Sequence, residues 1–211
     1  MTPRRLLFGA AAAGAAAIGV ATGLYLAAHR APPPEIGGYV VKRPRALPEL
    51  TLVDEHGAPF RAADFAGRWS FLYFGYTYCP DVCPLTLVEL AELKRRLLAG
   101  RPEERGEYYF VSVDPQRDTP ARVREYVAYF DPAFRGLSGP PTVLAALAQA
   151  TETLFDVPDG QDSDNYLVSH SSNLVLLDPA GEIHAVLTPP HDPVRLAADF
   201  TKVAARYTAL R

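Results

Sequence analysis

Trp69-Ser70-Phe71-Leu72-Tyr73-Phe74-Gly75-Tyr76-Thr77-Tyr78-Cys79-Pro80-Asp81-Val82-Cys83-Pro84 runs an aromatic, apolar segment directly into a pair of cysteines. Trp69 to Tyr76 has no polar face and reads as a buried strand. Leu85 to Leu98 then sets Leu87, Leu90, Ala91, Leu97 and Leu98 on one helical face, with Gly100 as its stop. Cys79 and Cys83, the only cysteines in 211 residues, therefore occupy a strand-to-helix turn. If Cys83 opens the helix, the four-residue spacing advances the chain by roughly 6 Å and about one turn, with both sulfurs on one side. Such a site is a dithiol, a disulfide, or two parts of a three-ligand metal centre.

Outward from that turn the pattern alternates. On the N-terminal side, Leu50 to Val53 and Pro59 to Arg61 flank Asp54-Glu55-His56-Gly57-Ala58 as a small hairpin. On the C-terminal side, Glu107 to Val113 is a second strand, and Asp118-Thr119-Pro120 caps a helix over Thr119 to Phe130. Another helix is predicted from Pro141 to Thr151. Ser172 to Leu177, the turn Asp178-Pro179-Ala180-Gly181 and Glu182 to Leu187 form a hairpin with strong turn chemistry, and Asp192 to Leu210 closes as an amphipathic helix. This is the order of an α/β, thioredoxin-like fold, a central mixed β-sheet flanked by helices, with the cysteines after its first core strand.

The first thirty residues hold Arg4, Arg5 and Arg30 and no acid. Leu6 to Ala28 is uncharged and, at about 1.5 Å per residue, long enough to cross a hydrocarbon core of ~30 Å. One N-terminal transmembrane helix within residues 1–30 is expected, with Arg4 and Arg5 on the cytoplasmic side. A cleaved signal peptide ending in Tyr25-Leu26-Ala27-Ala28-His29-Arg30-Ala31, or a twin-arginine signal, would equally send the rest out of the cytoplasm. The expected location is the cell inner membrane, single-pass, with the C-terminal domain on the periplasmic side, where disulfides are permitted. Residues 31–47, with Pro32, Pro33, Pro34 and Pro44, read as a Pro-rich tether, and 48–211 as one domain. From residue 31 onward 18 basic residues face 24 acidic ones, a net of −6, which disfavours nucleic-acid binding.

Three motifs carry a family resemblance. Phe74 to Pro84, Val111-Ser112-Val113-Asp114-Pro115-Gln116-Arg117-Asp118-Thr119-Pro120 and Tyr166-Leu167-Val168-Ser169-His170-Ser171 together resemble the Sco/SenC family, across residues ~45 to 211. The resemblance implies a membrane-tethered, thioredoxin-like copper protein that assists assembly of the binuclear copper centre of cytochrome c oxidase. It implies copper, Cu(I) and also Cu(II), on Cys79, Cys83 and His170. The implied partners are the copper-bearing oxidase subunit, another copper chaperone or a thiol reductase. The family often has Asp before the ligand His, where this chain has Ser169, which supplies a weaker hydrogen bond to the imidazole.

The donor chemistry agrees independently. Thiolates select Cu(I) and imidazole suits copper, and two thiolates with one neutral imidazole around Cu(I) carry a net charge of about −1. Met1 is the only methionine, which excludes a methionine-rich carrier. A second reading is a thiol-disulfide oxidoreductase, with Cys79 as nucleophile, Cys83 as resolving thiol and a Cys79–Cys83 disulfide when oxidised. Its CxxxC spacing departs from the usual CxxC. A zinc site on the same three residues lacks an obvious general base.

Of the other candidates, His29, His56, His184 and His191 read as structural or solvated. Asp81 reads as a helix N-terminal acid, and Asp114 to Pro120 as a capped loop near the site. Tyr76 and Tyr78 read as a docking surface or as core aromatics, and Lys94-Arg95-Arg96 as a solvated helix face.

Overall fold

A computed structural model describes residues 16, 18–20, 22–23, 32–100, 106–158 and 166–210. It divides into two compact units, residues 35–201 and a second made of residues 1–34 with 202–211. The expected membrane-spanning helix over 6–28 lies mostly outside the described residues, among which no helix is long and apolar enough to cross a membrane.

The sheet is built around the segment that leads into the cysteines. That strand is the fourth in chain order, β4 (Trp69–Gly75), and all seven of its residues are buried. Burial on both faces explains the absence of an alternating pattern. Strands β1 (Gly38–Ala46), β2 (Thr51–Asp54) and β3 (Pro59–Arg61) precede it. Strands β5 (Gly106–Ser112), β6 (Arg135–Ser138), β9 (Leu174–Leu177) and β10 (Glu182–Leu187) complete one sheet of order β1-β10-β9-β4-β5-β6-β2-β3. β4 pairs parallel with β5, from Trp69↔Gly106 to Gly75↔Ser112, and antiparallel with β9. β5 pairs parallel with β6, and the remaining pairs are antiparallel, so the sheet is mixed.

Helix α1 (Val82–Gly100) crosses from β4 to β5, and α2 (Pro120–Phe130) from β5 to β6. Two right-handed crossovers stepping the same way put both helices on one face, where they pack on each other. The helices α3 (Pro141–Ala150) and α4 (Pro193–Ala209) follow β6 and β10. On β4 alternate side chains share a face. Trp69 and Phe71 meet the Phe200 ring of α4 at 5.5 and 5.2 Å, while Tyr73, farther along, faces the ring of His170 at 6.1 Å.

Two expectations need correction. The tether expected over 31–47 contains β1, which pairs with β10 from Gly38↔Leu187 to Ala46↔Glu182, so the sheet begins at Gly38 rather than at Pro48. An edge strand bonds along one side only and buries little, so Pro44, Lys42, Arg43 and Arg45 are compatible with it. Only Val40 and Val41 are half-buried. The second is β6, which was not foreseen. Its Gly136 lies so close to α2 that an added Cβ would come within 2.3 Å of Val123, and only glycine allows that approach.

Candidate metal centre

The site grows from the C-terminal end of β4. Gly75 closes the strand, and a Cβ there would lie 2.8 Å from the Cys83 sulfur and equally close to the Phe110 ring. Glycine is required because the sulfur occupies that space. The chain then turns, with the Cys79 N–H donating to the Tyr76 carbonyl at 3.2 Å, and enters α1 one residue before Cys83. The backbone N–H of Cys83, an orphan donor in the first helical turn, reaches the Cys79 sulfur at 3.5 Å. Cys83 is fully buried and Cys79 is partly exposed.

His170 arrives from across the sequence on a two-residue strand, β8 (Ser169–His170), paired with β7 (Phe155–Asp156) through Phe155↔His170 and Asp156↔Ser169. Its Nδ1 lies 3.2 Å from the Ser171 carbonyl. A carbonyl can only accept, so Nδ1 carries the proton and Nε2 presents its lone pair. Nε2 faces the Cys83 sulfur at 3.3 Å, and the donor atoms of Cys79, Cys83 and His170 all lie within 4.8 Å of one another. Among the described residues no other cluster of three His, Cys, Asp or Glu side chains could hold a metal ion. Burial pushes the His170 pKa down, against the Ser171 carbonyl, and keeps the imidazole neutral. Burial likewise pushes the Cys83 thiol up, with the adjacent Cys79 adding to the shift against a Tyr76 backbone hydrogen bond. The pocket therefore disfavours a bare thiolate at Cys83, and a cation is the natural way to compensate one.

The loop between β5 and α2 holds the cysteine turn in place. Asp118, only 1% exposed, accepts from the Thr77 N–H at 2.9 Å, the Thr77 hydroxyl at 2.6 Å and the Ser112 hydroxyl at 2.6 Å. The capping role expected of Asp118-Thr119 belongs to Thr119, whose hydroxyl accepts from the Arg122 N–H. Asp114 is bound by Arg117 at 2.5 Å and by the Tyr166 hydroxyl at 2.8 Å. The Arg117 guanidinium lies 3.4 Å from the Tyr166 ring centre and 4.8 Å from that of Tyr78, and Arg122 covers Tyr78 at 4.0 Å. Two arginines thus clamp the residue before Cys79. Sequence reasoning missed Arg117 and the role of Asp118. The available signal was an acid-rich Asp-Pro-x-Arg-Asp-Thr-Pro segment directly after a mostly apolar, buried strand.

The structure brings Cys79, Cys83 and His170 together and keeps His56, His184 and His191 apart from them. His56 lies in an exposed turn beside Glu55. His184 is buried between Asp178 and the Trp69 ring, and the His191 Nε2 donates to the Ser172 carbonyl. His29 is outside the described residues. Asp81 is exposed at the mouth of α1. Ser169, exposed on β8, is not the partner of the His170 Nδ1, because the Ser171 carbonyl holds that position. Tyr76 is buried with its ring edge-on to His170 at 5.9 Å, while Tyr78 is 43% exposed. Lys94 is paired with Asp131, and Arg95 and Arg96 with Glu92.

Comparison with known proteins agrees with this arrangement. The family model described as SCO1/SenC matches residues 42–205. A protein of Stutzerimonas stutzeri, described as a candidate copper-binding protein, is 39% identical over 72% of this chain and 73% of its own length. The bovine mitochondrial protein SCO2 homolog is 33% identical over 76% of this chain and 59% of its own length. The crystal structure of Arabidopsis thaliana ScoI with copper bound superposes with a TM-score of 0.71 at 31% identity, covering 77% of this chain and 99% of that one. With the family model spanning most of the chain and the sheet, turn and histidine strand all in place, this chain belongs to the SCO1/SenC family.

Proposed function

We propose that the chain holds one copper ion between the thiolates of Cys79 and Cys83 and the Nε2 of His170, and delivers it to the copper-bearing subunit of cytochrome c oxidase. One observation carries the reading: three donors of copper-preferring type lie within 4.8 Å of one another. Donors about 2.0–2.3 Å from a shared first-row ion lie up to roughly 4.5 Å apart, so the set needs only a small inward shift to close. The copper-bound Arabidopsis relative supports the same cargo. Three ligands leave one side open, where partly exposed Cys79 is the first donor an acceptor meets. In this reading residues 6–28 anchor the chain in the inner membrane, and the Cys pair works on the periplasmic side. The test is a copper titration of the fully reduced protein. We expect one tightly held copper per chain, with His170→Ala and Cys83→Ser each weakening it by more than the about 10–100-fold typical of outer-shell losses. Binding indifferent to His170 would sink the reading.

A second reading rests on the order of the two sulfurs, with Cys79 partly exposed to an incoming disulfide and Cys83 buried behind it, its N–H reaching the Cys79 sulfur at 3.5 Å. Cys79, as its thiolate, attacks a client disulfide and releases one client thiolate, which takes up the Cys83 proton. Cys83 then displaces the second, so two electrons pass to the client and the chain ends as the Cys79–Cys83 disulfide. Reduction of a model disulfide that is lost in Cys79→Ser and kept in His170→Ala is its signature.

A further inference from the structure

A groove of about 810 Å³ opens beside the site. Its apolar lining includes Leu144, Ala148 and Phe155, together with Leu154, which is 76% exposed. Among the described residues no basic side chain lines it. Its two acids differ: Asp114 is neutralised by Arg117, whereas Asp156 is exposed. The described residues 136–158 and 166–169, which supply most of the lining, hold two acids, Glu152, which is paired with Arg45, and Asp156, and no Lys, Arg or His.

The groove also shares a wall with the metal centre. Phe155 is the strand partner of His170, and the Ser171 N–H donates to the Leu154 carbonyl at 2.8 Å while the Ser171 hydroxyl accepts from the Leu154 N–H at 3.2 Å. Tyr166, on the groove's other side, is the ring beneath Arg117. A body pressed against Phe155 acts on a short two-residue ladder that carries the imidazole, with few other bonds to resist it.

We propose that this groove docks a basic, apolar segment of the protein that exchanges metal with the site. Its apolar side chains would meet Ala145, Leu154 and Phe155, its Lys or Arg would meet Asp156, and docking would move His170 through the Phe155 pair. An amphipathic segment in an apolar groove is a recurring recognition mode, and the exposed Asp156 selects its charge. The exchange of metal rests on the copper reading, but docking itself does not.

The test titrates the reduced, metal-free protein with an amphipathic leucine–lysine peptide and with leucine–glutamate and serine–lysine counterparts, read by fluorescence anisotropy and by the NMR signals of the His170 ring. Saturable binding of the leucine–lysine peptide is expected, with both counterparts about tenfold weaker. Ala145→Arg and Asp156→Lys, at exposed lining positions, should each weaken it about tenfold. Tyr129→Ser, 85% exposed and outside the lining, should not. Equal binding of the leucine–glutamate peptide, or indifference to Ala145→Arg and Asp156→Lys, overturns the docking site. Binding that leaves the His170 signals in place overturns the coupling. A protein that docks the peptide yet holds no copper separates failure of the copper reading from success of this one.

Discussion

Two buried aspartates organise opposite kinds of structure in this molecule. Asp178 closes the β9–β10 hairpin: its carboxylate accepts from the Ala180 N–H at 2.8 Å, from the Glu182 N–H at 3.2 Å and from His184 at 3.2 Å. All of these partners lie within six residues of it in sequence. Asp118 ties the cysteine turn to the rest of the fold, and its principal partner, Thr77, is 41 residues away. Both are 1% exposed. At Asp118 burial outweighs the Ser112 and Thr77 hydrogen bonds and holds the carboxyl pKa above its usual value. At Asp178 burial also pushes upward, but His184 and the two backbone N–H groups overcome it and hold the value low. The hairpin is complete within its own sequence, whereas the metal centre exists only once distant segments have met.

Removing each carboxylate should separate the two cases. Asp118→Ala leaves a buried N–H and two hydroxyls without their acceptor, a cost of about 3 kcal/mol from unsatisfied groups. Because Thr77 then no longer fixes the turn before Cys79, copper affinity should fall along with stability. Asp178→Ala acts where the turn N–H groups can reach water and leaves one buried partner, His184, so about 2 kcal/mol is expected, with copper affinity unchanged. Urea unfolding and copper titration of the same two variants measure both quantities. Equal loss of copper affinity in both would erase the distinction between local and assembled structure.

The pH dependence of stability sharpens the same contrast, because the signs are opposite. The lowered pKa of Asp178 means its contribution is present above the ordinary carboxylate value and is lost as pH falls through the lower folded value. The raised pKa of Asp118 means its contribution is present below the ordinary value and is lost as pH rises through the higher folded value. Between about pH 3 and 6, on either side of the ordinary aspartate value, wild type minus Asp178→Asn should lose stability on acidification. Wild type minus Asp118→Asn should gain it. Parallel slopes would mean the two sites ionise alike.

The contrast also explains what the sequence could tell. The strand Trp69–Gly75, the α1 stripe Leu87, Leu90 and Ala91, and the Asp178-Pro179-Ala180-Gly181 turn were legible because each element's own residues fix it. Leu98, expected on the buried face of α1, is 40% exposed, while Leu97 beside it is buried, so the covered stripe passes through Leu97 and not through Leu98. β1 and β6 were not legible: one is a polar edge strand containing Pro44, the other a four-residue strand centred on a glycine that its neighbour helix demands. The cysteine spacing announced half of the site. His170 was placed by motif resemblance, because no local periodicity marks a two-residue strand, and Asp118 passed for a helix cap because its true partner, Thr77, is distant in sequence and follows the neighbouring strand.

One bond inside the site is local, and it yields the smallest expected effect. The His170 Nδ1 is held by the carbonyl of its own neighbour Ser171, so an acid at position 169 has no free ring N–H to receive. Ser169 is exposed and lies opposite Asp156 in the β7–β8 pair. Ser169→Asp would therefore place like charges across a strand pair, costing about 0.5 kcal/mol, and would change copper affinity by less than about threefold, below the roughly tenfold at which outer-shell effects begin. A tenfold or larger tightening in the same copper titration would show the imidazole turning from Ser171 to residue 169. The histidine would then be held by whichever neighbour offers charge, and its orientation would belong to the adaptable part of the site rather than to the ladder that carries it.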